Sequence, residues 1–240
     1  RSHLAERETM ISKDTKLLLI SPHPDDETLG CGGLIRKIKK AGGEVYVQIM
    51  TYGDEAQYGG YSEKSVREQE LEAVMSYLEV DDYEVFFPGE EFHLKLDGIP
   101  EKELLDRIEK NSRLSLNQLH PNMVGIPAEN STNVANRVTY RAAFTALRPR
   151  PHHLKSFTPI VFTYDNLTYW NYQNFQANWF VNIDDEIEDK IHALSLYATQ
   201  MRADPHERSL DNIRRFHEVL GRSQGVNCVE QFYLNRFYQS

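Results

Sequence analysis

Short apolar runs alternate along the chain with stretches of helical period. Lys16–Ser21 (KLLLIS) is apolar without alternation, as expected of a strand buried on both faces. Further strands are predicted at Glu44–Thr51, Tyr83–Phe87, Met123–Ile126, Ile160–Tyr164 and, more briefly, Phe180–Ile183. Helical spacing covers Thr28–Ala41, Lys64–Leu78, Glu101–Leu116, Arg137–Leu147, Asp185–Thr199 and Ser209–Gly221. Gly42-Gly43 stops the first of these, and Pro149 and Pro151 stop the fourth. Strands separated by helices predict a mostly parallel sheet with right-handed crossovers, a Rossmann-like three-layer α/β sandwich.

Such sheets bind ligands beyond the carboxyl ends of their strands. That rule gathers His23, Asp25 and Asp26, then Gly53 and Asp54, Glu90–His93, Asn130–Asn136 and Asp165 around one pocket. The Gly- and Tyr-rich stretch Tyr52–Ser62 is expected as a loop suited to a mobile lid.

At 240 residues, one large domain is expected over 11–240, preceded by a tag or disordered leader at 1–10 with Met10 as a candidate start. Lys and Arg number 27 against 36 Asp and Glu, a net charge of −9, which argues against nucleic acid and anionic membranes as partners. No apolar run is long enough to span a bilayer. Two cysteines, Cys31 and Cys228, make no disulfide framework and predict a reducing, cytoplasmic setting. Cys31, between Gly30 and Gly32, is read as a packing residue.

The densest chemistry lies just after the first strand. His23, Asp25, Asp26 and Glu27 place three adjacent carboxylates beside an imidazole. Such a cluster is costly unless a cation or a helix amino end compensates it. Imidazole with carboxylate is ordinary ligation for Zn²⁺, and a second Asp facing a bound water would be a natural general base. The plainer reading is a helix N-cap from Asp25 or Asp26. A dinucleotide fingerprint, with its hydride chemistry, is disfavoured because acidic residues precede the glycines and would repel a pyrophosphate.

Ser21–Gly33 (SPHPDDETLGCGG) resembles the signature of the LmbE-like, or PIG-L, N-deacetylases. Similar segments are Thr51–Asp54, Arg67–Glu70, Pro121–Pro127, Lys190–Gln200 and Glu230–Phe232. That family removes N-acetyl groups from amino sugars and sugar conjugates with one divalent metal, usually zinc. The resemblance therefore implies a zinc-dependent hydrolase acting on a small N-acetylated sugar. His23 and Asp26 would be metal ligands, Asp25 the general base and Arg67 a substrate contact. Relatives often assemble, so a homo-oligomer is an expectation of the same kind.

The family's second motif, His-x-Asp-His, reads Asn133-Val134-Ala135-Asn136 here. Asn is a neutral, weak donor and does not replace imidazole on zinc. Loss of one oxyanion donor costs on the order of 10²–10³ in rate. The sequence thus predicts impaired hydrolysis and weakly held zinc. Asn133 and Asn136 are candidate substrate contacts, Asn136 also a feeble ligand, and His93 a candidate substitute ligand. Three readings stay open: a non-catalytic sugar-binding relative, an enzyme with a substitute ligand, or a deliberately altered site.

Asn133 and Asn136 both have a second reading as caps of the helix expected from Arg137. Tyr164–Asn166 and Tyr169–Tyr172 suit a sugar-stacking wall. His120, His152 and His153 precede strands and belong at the far end. His192, His206 and His217 are read as structural or surface residues.

Overall fold

The computed structural model describes residues 10–57, 60–151, 155–165 and 175–239. The leader 1–9, His152, His153 and the aromatic stretch 166–174 lie outside the described residues, so the expectations placed on them meet no structure.

Strands β1 (Lys16–Ser21), β2 (Glu44–Tyr52), β5 (Asp82–Pro88), β6 (Met123–Pro127), β7 (Ile160–Tyr164), β8 (Trp179–Asn182) and β9 (Val229–Phe237) form one sheet. Its order is β5-β2-β1-β6-β7-β9-β8. The first five are parallel, and β9 runs antiparallel to both β7 and β8. The predicted mostly parallel three-layer fold is therefore observed. The polar loop expected after β2 instead carries a small hairpin, β3 (Glu55–Gln57) with β4 (Gly60–Ser62). Strand β9, whose Glu230–Phe232 the sequence marks only as a motif, is the additional strand of the sheet.

Alternation along β1 creates the layers. Leu17 and Leu19 point to one face, where they join Leu34, Ile35 and Ile38 of α1 (Asp26–Lys40). Leu71 and Val74 of α2 (Lys64–Tyr77) and Ala193 of α6 (Ile187–Leu196) complete that face. Leu18 and Ile20 point the other way, onto Leu104 and Ile108 of α3 (Glu101–Glu109) and Ala142, Ala143 and Ala146 of α5 (Val134–Ala146). Two shorter elements differ from the sequence reading. The helix expected over Glu101–Leu116 ends at Glu109, and a single turn, α4 (Leu116–Leu119), follows. Helix α7 (Leu210–Ser223) is capped by the Ser209 hydroxyl, which accepts from Asn212 N.

Helix α1 sits unusually close to the sheet. A Cβ added at Gly30 would lie 2.4 Å from the Tyr164 ring, and one at Gly33 would lie 2.6 Å from Ile183. Cys31, fully buried between them, is a packing residue. A buried ion pair then pins the helix. Glu230 of β9 accepts from Gly33 N (2.8 Å) and Leu34 N (2.7 Å), while Lys190 Nζ of α6 bonds Glu230 Oε1 (2.7 Å) and Leu29 O (2.6 Å). Both side chains are fully inaccessible to solvent.

Buried His217 on α7 makes a testable contribution. Its Nδ1 lies 2.8 Å from Val229 O. Burial, reinforced by the Lys190 charge, pushes its pKa well below the usual imidazole value. The unfolded chain takes up a proton near pH 6.5 while the folded chain does not. This stability is present above about pH 6.5 and falls as pH drops below it, by at most about 1.4 kcal/mol per pH unit. Urea unfolding at pH 7.5, 6.5 and 5.5 should show a shallower acid loss for H217Q than for the parent. Parallel curves would refute the assignment.

Candidate active site

The carboxyl ends of β1, β2, β5 and β6 open onto one cavity of about 380 Å³, lined by His23, Asp25, Glu55, Arg67, His93 and Asn133. Gln200, Arg202, His206 and Arg208, from the loop joining α6 to α7, close its other side. Of the strand-end residues that the placement rule gathers, His23, Asp25, His93 and Asn133 line the cavity, whereas Asp26, Asp54, Glu90, Asn130, Asn136 and Asp165 are not in its lining. The rule also had no reason to include a loop between two helices. His206, read as structural or surface, belongs to the lining. The available signal was compositional: Arg202-Ala203-Asp204-Pro205-His206-Glu207-Arg208 crowds titratable groups between two helices.

The loop after β1 is knotted by its own carboxylates. Asp26 Oδ2 accepts from His23 N at 3.2 Å and stands 3.4 Å from His23 Nδ1. Glu27 Oε2 accepts from Asp25 N at 3.1 Å, and Glu27 Oε1 receives the Thr28 and Tyr197 hydroxyls, each at 2.8 Å. Burial pushes Glu27 up to about 7, against the pull of those hydroxyls. Asp25 precedes α1 but makes no capping bond with its side chain. It adopts φ +106°, a region unusual for a residue with a Cβ, and such strain persists only where the surroundings hold it. Its Oδ2 is 3.0 Å from Arg208 Nη1. Burial pushes Asp25 up to about 6, opposed first by the Arg208 guanidinium and then by Arg67.

Across the cavity, Arg67 of α2 is buried. Its Nη1 lies 3.4 Å from both Glu55 Oε2 and His93 Nε2, and its Nε has no partner. The His93 ring stands edge-on to His23 with centroids 5.6 Å apart. Gly53 permits this approach, since a Cβ there would meet His93 Cβ at 2.7 Å. The His93 hydrogen bond and the Arg67 charge hold Glu55 down to about 2. His93 thus engages Glu55 and Arg67 through Nε2, while its Nδ1 is buried without a partner.

The second motif divides between two roles. Asn133 caps α5, its Oδ1 accepting from Ala135 N at 2.8 Å, so the capping reading holds for Asn133 and not for Asn136, which lies inside the helix. Asn136 is 1% exposed and its Oδ1 has no partner. Arg137 Nη1 ties the preceding loop through Ser131 O (2.8 Å) and Thr132 O (2.9 Å).

These donors can be tested against zinc. His23 Nδ1 and Asp26 Oδ2, 3.4 Å apart, match two corners of a tetrahedron with legs of about 2.0–2.1 Å. The matching position of the second motif carries the Asn136 carboxamide, and His93, the candidate substitute, has its Nε2 turned to Glu55 and Arg67, whereas zinc sites in enzymes have three ionisable or imidazole ligands. Among the described residues, no three His, Cys, Asp or Glu side chains cluster as a metal requires. The donor set present does not fit a tightly held zinc ion.

The model of the family described as PIG-L, GlcNAc-PI de-N-acetylase, matches residues 18–147, more than half of the chain. The chain belongs to the PIG-L family. Solved structures extend the likeness over nearly the whole chain. The conserved protein TT1542 from Thermus thermophilus is 23% identical with a TM-score of 0.71, over 94% of this chain and 97% of that one. The N,N'-diacetylchitobiose deacetylase from Pyrococcus horikoshii is 22% identical with a TM-score of 0.68, over 92% and 84%. GalB, a 4-carboxy-2-hydroxymuconate hydratase from Pseudomonas putida, is 17% identical with a TM-score of 0.75, over 94% and 98%. At these identities the likeness shows a fold, and one that hosts more than one chemistry. No curated protein matches the chain. No helix among the described residues is long and apolar enough to cross a membrane.

Proposed function

We propose that residues 11–240 form one de-N-acylase domain of the PIG-L type whose cavity takes a small N-acetylated amino sugar or sugar conjugate, and whose hydrolytic step is impaired. The observation that carries this reading is the state of the second motif: the Asn133 side chain is committed to capping α5, and Asn136 presents a neutral carboxamide. The binding half of the site is intact beside it. Arg67 retains an unpartnered, buried Nε–H for a substrate oxygen. Asp25, which lines the same cavity in a strained backbone, is assigned here the role of taking a proton from an attacking water.

What is missing is the third strong ligand that the zinc-dependent members of the family supply, together with a donor aimed at the developing oxyanion. Loss of such a donor alone lowers rates on the order of 10²–10³. The reading therefore combines ligand binding with slow or undetectable acetate release.

Calorimetric titration with a panel of N-acetylated amino sugars, alongside acetate release with and without added zinc, tests it. At least one N-acetyl sugar should bind more tightly than its free-amine counterpart, and R67A should weaken that binding about tenfold, near 1.4 kcal/mol. Equal binding of amide and amine, or indifference to R67A, would remove the substrate assignment.

A further inference from the structure

We infer that Arg208 supplies, from within the chain, the positive charge that a divalent ion would otherwise bring to the acidic loop after β1. The sequence places three carboxylates side by side at Asp25, Asp26 and Glu27, and each has a separate compensation in the fold. Glu27 is held by two hydroxyls and a backbone amide. Asp26 stands between the His23 amide and the His23 ring. Asp25 has Arg208, at 3.0 Å. Each carboxylate thus has a partner within the protein, and the one full positive charge among those partners is the Arg208 guanidinium on Asp25.

Arg208 is built into this position. Its backbone N donates to His206 Nδ1 (3.0 Å), and its carbonyl accepts from Arg202 N (3.2 Å). Ser209 immediately begins the cap of α7. The guanidinium therefore reaches inward from a segment fixed at both ends, with 20% of its side chain exposed. Asp25 is 4% exposed and strained at φ +106°, so it needs a fixed partner to hold it. A guanidinium is always charged and cannot release that charge when a second cation arrives. A divalent ion held by His23 and Asp26 would bind the residue next in sequence to Asp25, in the cavity that His23, Asp25 and Arg208 line together. It would meet a positive charge already in place, with that of Arg67 across the cavity.

This inference concerns cation balance and does not depend on which ligand the cavity takes. It is read by zinc binding alone. Apparent zinc affinity, measured by competition with a fluorescent chelator at fixed pH and salt, is compared between N136H and N136H/R208M. The double variant should bind zinc at least tenfold more tightly, because the site gains an imidazole in both proteins but loses the competing cation only in the second. N136H/R208K, which keeps the charge, should match N136H within a factor of about three, or roughly 0.7 kcal/mol. Equal affinity of N136H and N136H/R208M overturns the inference, as does near-stoichiometric zinc retained by the unaltered protein after dialysis. Should N136H/R208M not fold, N136H/R208Q replaces it with the same expectation and the same overturning result.

Discussion

Zinc affinity is expected to rise at least a hundredfold, and acetate release from a bound N-acetyl sugar on the order of 10²–10³ or more, in the triple variant N133H/A135D/N136H. His23 Nδ1 and Asp26 Oδ2 already stand at the spacing of two tetrahedral corners. Asn136, buried and with an unpartnered side-chain oxygen, occupies the motif position of the missing ligand. An imidazole there adds the strong donor the set lacks. An imidazole at 133 adds an oxyanion donor, and an aspartate at 135 supports it while favouring the amino end of α5. The gain has a folding cost. The Asn133 cap to Ala135 N disappears, worth about 1 kcal/mol. The triple variant should therefore melt lower without zinc and recover when zinc is added. Chelator competition, acetate release and a melt with and without metal read all three quantities. Tight zinc without any acetate would sink the hydrolase ancestry of the cavity. No zinc at all would sink the placement of His23 and Asp26 as ligands.

K190M is expected to cost about 3–5 kcal/mol of folding stability, the usual loss when one member of a buried ion pair is removed. At roughly 2–4 °C per kcal/mol for a chain of this size, the melting temperature should fall by about 10 °C. Lys190 Nζ is fully buried and has two partners, Glu230 Oε1 and Leu29 O. Without it, Glu230 remains buried with its two amide donors but no counter-charge. K190M/E230Q should recover part of the loss, since the glutamine is neutral and keeps one oxygen for an α1 amide. A K190M urea midpoint within about 1 kcal/mol of the parent would mean that the pair is not what seats α1.

Much of this architecture was legible in the sequence because burial leaves a periodic signature. KLLLIS could only be a central strand, and β1 does lie between β2 and β6. The acidic loop was legible as chemistry because adjacent carboxylates demand compensation, and Asn133 because a cap followed by a helix is a local pattern. Strand β9 was not. It is buried at Val229, Glu230 and Phe232 and largely half-exposed beyond, so it shows no continuous apolar run. It also pairs antiparallel within a sheet whose other predicted strands suggested parallel order. The hairpin of β3 and β4 hid in a Gly- and Tyr-rich stretch that reads as loop. The meeting of Arg208 with Asp25 spans 183 positions and six helices, and no local pattern records such a contact.

The two halves of the cavity hang from different supports. The β1–α1 half rests on the glycine-lined seat against Tyr164 and Ile183 and on Lys190–Glu230, so a change there disturbs the core. The Asn133–Asn136 half rests on one helix cap and a loop tied by Arg137. Replacing side chains in that second half should cost the fold little beyond the Asn133 cap, about 1 kcal/mol. A protein on this scaffold can lose its chemistry one loop at a time while its binding hollow stays in shape.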